Sequence, residues 1–303
     1  MATPITTGAH PKALWPGIRA WWGRMYDEHT PEYTELFDTE TSSKKYEEDV
    51  EVTGFGLAPQ KPEGDSITYD TEQQGTVSRY THVAYALGFI VTYEELKDNL
   101  YEVVGKRRAQ ANAFSMRQTK ENVAANVYNR AFTPAHAGGD GKELLATDHP
   151  TVNGTQSNEL ATAADLSEAS IEDLVTQISK ATNSRGLKIS ILPKCLIVHP
   201  DNWFEANRIL KSVLQNDTAN NAVNVLKATN ALPDGIKMNH YLTDSDAFFI
   251  RTNCPRGMTH FERESVSFEQ DNDFDTKNAK AASYERYSFG WTDWRGLFGS
   301  PGA

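Results

Sequence analysis

Cysteine is nearly absent. The 303 residues hold two, Cys195 and Cys254, far apart and in no C-x-x-C pair. A disulfide framework is excluded, and buried free thiols in a reducing cytoplasm are the simple reading. No apolar run approaches the ~18 residues that span a bilayer. The N-terminus has no charged region followed by an apolar one, so no secretory signal is expected. Positive charge is short: 30 Lys and Arg stand against 41 Asp and Glu, a net charge of -11. That balance argues against nonspecific nucleic-acid binding as the main task and keeps an abundant protein soluble. Apolar content is lean, at 39%, so some segments must lie outside any core. There is no internal repeat and no low-complexity block.

Catalytic motifs are missing too. There is no G-x-S-x-G, no H-E-x-x-H and no Walker loop. Gly54-Phe55-Gly56 lacks the third glycine of a dinucleotide loop and precedes no helix, so it reads as a hinge. Asp271-Asn272-Asp273-Phe274-Asp275 begins like a calcium loop, but Thr276 replaces the required Gly and Ala282 the closing Glu. It reads as a solvated acidic turn. His136, Asp148 and His149 share a loop at no recognised metal-ligand spacing. Lys106, Arg107 and Arg108 form a basic knot, either a solvated face or a bridge to an acidic neighbour, with a phosphate contact second. No metal or other cofactor is expected.

What is present is one long helical stretch, Thr92 to Phe132. Thr92 with Glu95 makes a capping box. Leu96, Leu100, Val103, Phe114, Val123, Val127 and Ala131 recur at helical spacing. Pro134 ends it, and Gly105 predicts a bend or fray. Such a helix is ~60 Å long, twice the width of a small domain. Arg107, Arg108, Gln118 and Lys120 interrupt any coiled-coil seam. The subunit should be flat or elongated and find further contacts in its neighbours.

The rest of the chain arranges itself around that helix. Residues 1–45 carry one short amphipathic helix, Ile18, Trp21, Trp22 and Met25, and a heavy aromatic load that includes Trp15, Tyr26, Tyr33 and Phe37. Such a segment cannot bury these rings alone. It packs on its own subunit or lies across a neighbour, and both readings stay open. Residues 46–91 read as a long hairpin. The outgoing arm is Tyr46 to Phe55, and the returning one has Val77, Thr81, Val83, Tyr85, Leu87, Phe89 and Val91 on one face. The loop between holds Gly54, Gly56, Pro59, Lys61, Pro62, Gly64 and Gly75, and is mobile unless another subunit holds it. Ala135 to Asn158 reads as loop. An α/β block follows, with a helix stripe at Ile171, Leu174, Val175 and Ile178 capped by Ser167 or Ser170. It continues with a strand at Cys195–Val198, a helix from Asp201 carrying Phe204, Ile209, Leu210 and Val213, and strands at Ile236–Leu242 and Ala247–Arg251. Two more strands close the chain: Gly257–Glu269, with a bulge near Arg263, and one placing Tyr287, Phe289 and Trp291 on a face.

This order of parts resembles the major capsid proteins of tailed phages, and more narrowly the Mu-like major head subunit family. The narrower match rests on Phe114-Ser115-Met116-Arg117-Gln118-Thr119-Lys120, Asp140-Gly141-Lys142-Glu143-Leu144-Leu145, Asp148-His149-Pro150, Asn239-His240-Tyr241-Leu242-Thr243-Asp244 and Asp293-Trp294-Arg295-Gly296-Leu297-Phe298-Gly299. The resemblance implies an α+β chain with the Hong Kong 97-type fold. Its parts would be an N-arm at 1–45, an E-loop hairpin at 46–91 and a peripheral domain with the spine helix at 92–159. An axial domain at 160–256, peripheral-domain strands at 257–291 and a C-terminal return segment at 292–303 complete it.

The same resemblance implies hexamers and pentamers of an icosahedral shell, assembled in the host bacterial cytoplasm around double-stranded DNA without sequence readout. The chain starts almost at the arm, so scaffolding would come from a separate protein; portal and decoration proteins are the other partners, and no membrane is involved. In some relatives an E-loop Lys bonds to a neighbour's Asn; Lys61 is the Lys within the glycine-rich loop here. Subunit-interface candidates are Trp15, Trp21, Trp22, Tyr26, Gly54, Gly56, Lys61, Gly64, Arg107 and Arg108. An encapsulin-like nanocompartment keeps the fold and changes the cargo. A soluble metal-dependent enzyme using His136 and Asp148 is the alternative from another class.

Overall fold

The computed structural model describes residues 22–27, 30–97, 101–214, 222–273 and 278–303. Two four-stranded sheets organise it. In the first, β1 (Asp38–Thr41), β10 (Met258–Asn272), β11 (Ala279–Trp291) and β4 (Val83–Val91) lie in the order β1-β10-β11-β4. The long β10–β11 pair is antiparallel, and its register slips between Glu262, Glu264 and Ser267. That is the bulge expected near Arg263. The first strand runs parallel to β10, Asp38 opposite Thr259, so the end of the N-terminal segment belongs to the sheet.

The returning arm of the hairpin is two strands, not one. The hairpin proper is β2 (Tyr46–Val52) against β3 (Gln74–Thr81); beyond His82 the chain leaves it and pairs with β11 as β4. His82 is buried at the switch, its ring nitrogens 2.9 Å from Ser288 Oγ and 3.1 Å from Ser42 Oγ. Uniform alternation through the arm hid this change of partner.

After α1 (Tyr33–Leu36), helices α2 (Tyr93–Lys97) and α3 (Tyr101–Asn129) make up the spine. Thr92 and Glu95 form the expected capping box, and Gly105 lies within the helix. The buried stripe is the expected one only at its end, where Ala131 is buried and Val127 packs against the core. Phe114 is 44% exposed, and the face on the sheet is Ala109, Ala113, Met116, Lys120, Ala124 and Tyr128. Alanines let the helix lie close to β11, whose Ala279, Ala281, Ser283, Glu285 and Tyr287 are all buried. Leu96, Leu100 and Val103 fall outside the described side chains.

The second sheet has the order β12-β9-β7-β8, from β7 (Pro193–Val198), β8 (Ile236–Met238), β9 (Phe248–Thr252) and β12 (Leu297–Ser300). Its core takes Ile171, Leu174 and Ile178 of α4 (Glu168–Ser179), capped by Ser167 with Ser170 at N3. In α5 (Trp203–Lys211) the buried residues are Ala206 and Ile209, whereas Phe204 points out at 73% exposure. The chain's last strand completes this sheet, which makes the α/β unit discontinuous in sequence. The stretch 135–158 is not all loop: β5 (His149–Thr151) pairs with β6 (Gly154–Gln156). Both cysteines are free and buried, and burial pushes the Cys195 thiol up to about 11.

Candidate functional site

Three of the motifs that carried the resemblance, 140–145, 148–150 and 293–299, converge where the two sheets meet. Asn158, fully buried, is the hub. Its Nδ2 donates to the carbonyls of Leu144 at 2.7 Å, Leu297 at 2.9 Å and Trp294 at 3.1 Å, and its Oδ1 accepts from Ala146 N–H at 3.0 Å. The same Oδ1 lies 3.0 Å from His149 Nε2, while His149 Nδ1 lies 2.6 Å from Asp140 Oδ2. The imidazole stacks on Trp294 at 4.4 Å and 3°. Next to it Arg295, also buried, donates to Thr182 O, Gln156 Oε1 and Asp293 Oδ1 at 2.9, 3.1 and 3.1 Å. One polar clasp thereby joins the 140–158 segment, the C-terminal return and the α/β unit. Asp148 is turned away from it, paired with Lys142 at 2.5 Å. Among the described residues no three His, Cys, Asp or Glu side chains gather to hold a metal.

A second polar centre ties the arm to the spine. Trp22 is buried, stacked between Tyr26 at 5.1 Å and Phe268 at 5.3 Å, and its Nε1 donates to Asn112 Oδ1 at 2.8 Å. Tyr26 Oη donates to Glu285, which pairs with buried Lys120 at 3.4 Å. Burial raises the Glu285 carboxyl above the ordinary range, with Lys120 opposing. Glu121 accepts from the Glu32 and Tyr33 N–H groups at 3.1 and 3.0 Å. Trp22 and Tyr26 thus face their own subunit, the first of the two readings of this arm. Trp15 and Trp21 lie outside the described residues.

The hairpin is held at its root by charge. Alternate residues of β2 point inward: Asp49 pairs with Arg256, Glu51 accepts from Ser184 Oγ, and Glu47 pairs with Lys44. Farther out, Asp70 binds the Gly56 N–H at 2.8 Å and the Arg185 guanidinium, which also reaches Thr71 O. The tethers to Arg256, Ser184 and Arg185 are not legible in the sequence because these partners lie over a hundred residues away. Gly54 and Gly64 turn the loop with φ of 66° and 88°. Lys61 is exposed on it. Phe55, Leu57, Ile67 and Tyr69 are also exposed there, Leu57 by 83% and Tyr69 by 89%. Arg107 is exposed on the spine. Arg108 bridges Glu95 at 3.0 Å and donates to Ile90 O at 2.9 Å, so its acidic partner is in its own chain. The predicted candidates therefore form no single cluster; they lie on the arm, the hairpin loop and the spine.

A family model for phage capsid protein matches residues 75–299. The chain belongs to the phage capsid protein family. No curated protein matches it. The fold is that of solved Hong Kong 97-type shells. It aligns with the capsid of an empty GTA particle at a TM-score of 0.56 and 9% identity, covering 90% of this chain and 89% of the other. For a virus-like particle from Pyrococcus furiosus the values are 0.54 and 11%, over 95% and 99%. For the procapsid of bacteriophage JBD30 they are 0.52 and 13%, over 98% and 76%. Identities this low establish the fold alone; the family match establishes a major capsid protein, a structural subunit of the virion that assembles with copies of itself.

Proposed function

We propose that copies of this capsid protein form hexamers and pentamers of an icosahedral head, of the Mu-like kind, around double-stranded DNA and without catalytic turnover. The observation that carries this reading is the hairpin loop. Its Phe55, Leu57, Ile67 and Tyr69 are large, apolar and exposed in a single subunit. Large apolar side chains held exposed on one loop mark an interaction site. A second patch, on the flank of the α/β unit, holds Phe204, Val213 and Val223. In this reading residues 1–45 are the N-arm, 46–91 the E-loop, 92–159 with 257–291 the peripheral domain, 160–256 the axial domain and 292–303 the return segment. Gly54, Gly56, Lys61, Gly64 and Arg107 then serve contacts between subunits, Trp15 and Trp21 belong to the arm's contacts, and Trp22, Tyr26 and Arg108 support them from within. The acidic net charge of -11 keeps the shell from sticking to its genome. Scaffolding, portal and decoration proteins are the expected partners, in the host bacterial cytoplasm. Light scattering over a concentration series, with negative-stain microscopy, tests the reading. Closed particles containing DNA support it. A monodisperse monomer at every concentration, even beside its scaffold protein, overturns it; particles loaded with protein and no nucleic acid point to a nanocompartment shell.

A further inference from the structure

Among the described residues strand β4 is an open edge of its sheet. Its inner side pairs with β11 from Val83 to Val91, and it is the last strand of its sheet. Among the described residues its outer side has no backbone partner. Natural edge strands are kept from pairing with other chains by charge, proline, bulges or short length. This strand, Val83-Ala84-Tyr85-Ala86-Leu87-Gly88-Phe89-Ile90-Val91, has nine residues, no charge and no proline. Its register with β11 runs without a shift. Val83, Leu87 and Ile90 are 48, 42 and 53% exposed. Side chains of the spine reach two of its carbonyls, Asn112 to Leu87 and Arg108 to Ile90, both at 2.9 Å.

The chain also carries a strand without a sheet. Residues 65–71 read Asp-Ser-Ile-Thr-Tyr-Asp-Thr. Ile, Thr and Tyr favour extended structure, and a period of two puts Ile67 and Tyr69 on one face. These two are 63 and 89% exposed. Among the described residues the backbone of 66–69 makes no hydrogen bond. Asp70 and Thr71 are fixed by Gly56 and Arg185, so the segment has a tethered base on its own subunit.

We propose that residues 65–71 of one copy add to the β4 edge of a second copy as a fifth strand of its sheet. Extended, the segment is ~23 Å long, which fits along β4 at ~30 Å. Main-chain bonds to the open edge supply affinity, and Ile67 and Tyr69 covering Val83 and Leu87, which share one face of β4, supply register. The proposal rests on the shell-forming reading above and goes beyond it by naming both partners of one contact.

Hydrogen exchange on the natural sequence, free and assembled, tests it. Exchange at β4 should slow by at least about tenfold in the shell for the outward half of its amides, together with residues 66–69. The inward amides, already bonded to β11, should change little. Protection of β4 without residues 66–69 means another occupant, such as a second β4, and overturns the proposal, as does fast exchange at both. A double variant, Ile67→Asp with Tyr69→Asp, provides a second arm. Both side chains are exposed, so the free subunit should unfold as the parent does while shell yield is lost; normal shells overturn the proposal. If the natural sequence forms no shells at all, the shell-forming reading itself has failed, a result distinct from shells with an unprotected β4.

Discussion

Gly257 and Gly296 cross so closely that a β-carbon on Gly257 would sit 2.5 Å from the Gly296 α-carbon, and one on Gly296 would sit 2.3 Å from the Gly257 α-carbon. Gly257 leads into β10 of the first sheet, and Gly296 leads into β12 of the second. The crossing therefore sets how the two sheets meet. Neither glycine has positive φ, so contact, not backbone strain, requires them.

Gly257→Ala or Gly296→Ala should each destabilise the subunit by about 1–3 kcal/mol or more, because the blocking atoms are backbone and cannot rotate away. The double variant should cost less than the sum, since one displacement relieves both clashes. Urea midpoints of the free subunits measure this. Unchanged midpoints would show that the crossing is loose.

Asn158→Ala should be among the most damaging polar substitutions in the protein. It orphans the Ala146 N–H and the carbonyls of Leu144 and Leu297 in a buried place, and takes one of two donors from the Trp294 carbonyl, which keeps the Leu297 N–H. A buried unsatisfied group costs about 1–3 kcal/mol, so a loss of at least about 3 kcal/mol is expected. His149→Phe keeps the stack on Trp294 and leaves Asp140 its bond from the Lys142 N–H, so it should cost less. Thermal unfolding of the three proteins gives the order; Asn158→Ala milder than His149→Phe contradicts the hub.

His260 should make the subunit sensitive to acid. It is fully buried on Phe289, 4.3 Å between ring centres, and its Nε2 has no partner among the described residues. Burial first, then nearby Lys120, holds its pKa down to about 3. A depressed folded value means the unfolded chain takes the proton first. The contribution is complete above the ordinary value of ~6.5 and is lost as pH falls toward about 3. Within that window the slope is about 1.4 kcal/mol per pH unit. His82, also held low by burial, is common to parent and variant and cancels. His260→Phe should therefore lose less stability than the parent between about pH 6 and about pH 4. Parallel stability curves would place a normal, solvated histidine there.

Local signals in the sequence were read correctly where a short window decides the structure. The alternation slip near Arg263, the Thr92–Glu95 box and the cap at Ser167 or Ser170, which falls on Ser167 with Ser170 at N3, are of this kind. The buried face of the spine was not legible, because it is built from alanine and from Lys120 with its distant partner Glu285, while the largest nearby apolar residue, Phe114, faces out. Asn158 sits in a stretch rich in Gly, Asp and Asn that reads as exposed loop; two of its bonds run to Trp294 and Leu297. The order of motifs pointed to the capsid fold, yet not to the meeting of 140–145, 148–150 and 293–299 in one clasp. A pattern along the chain does not reveal which distant carbonyls an amide will serve.

Trp22 separates the two readings of the N-terminal arm. In the subunit it is 5% exposed, stacked on Tyr26 and Phe268 and bonded to Asn112. Asn112 also accepts from Ser283 Oγ at 2.8 Å and donates to Leu87 O, so it keeps partners when the indole is removed. The loss in Trp22→Ala is then mainly cavity and stacking, about 3–5 kcal/mol. Trp22→Phe preserves most of the stacking and should recover more than half of it. Because the arm continues into Tyr33, Phe37 and β1, the destabilisation should reach the whole first sheet. The free Trp22→Ala subunit should unfold several degrees lower, and the arm should become open to proteolysis. If instead its unfolding is unchanged while shells are lost, the indole works against a neighbour and the intramolecular seat is secondary.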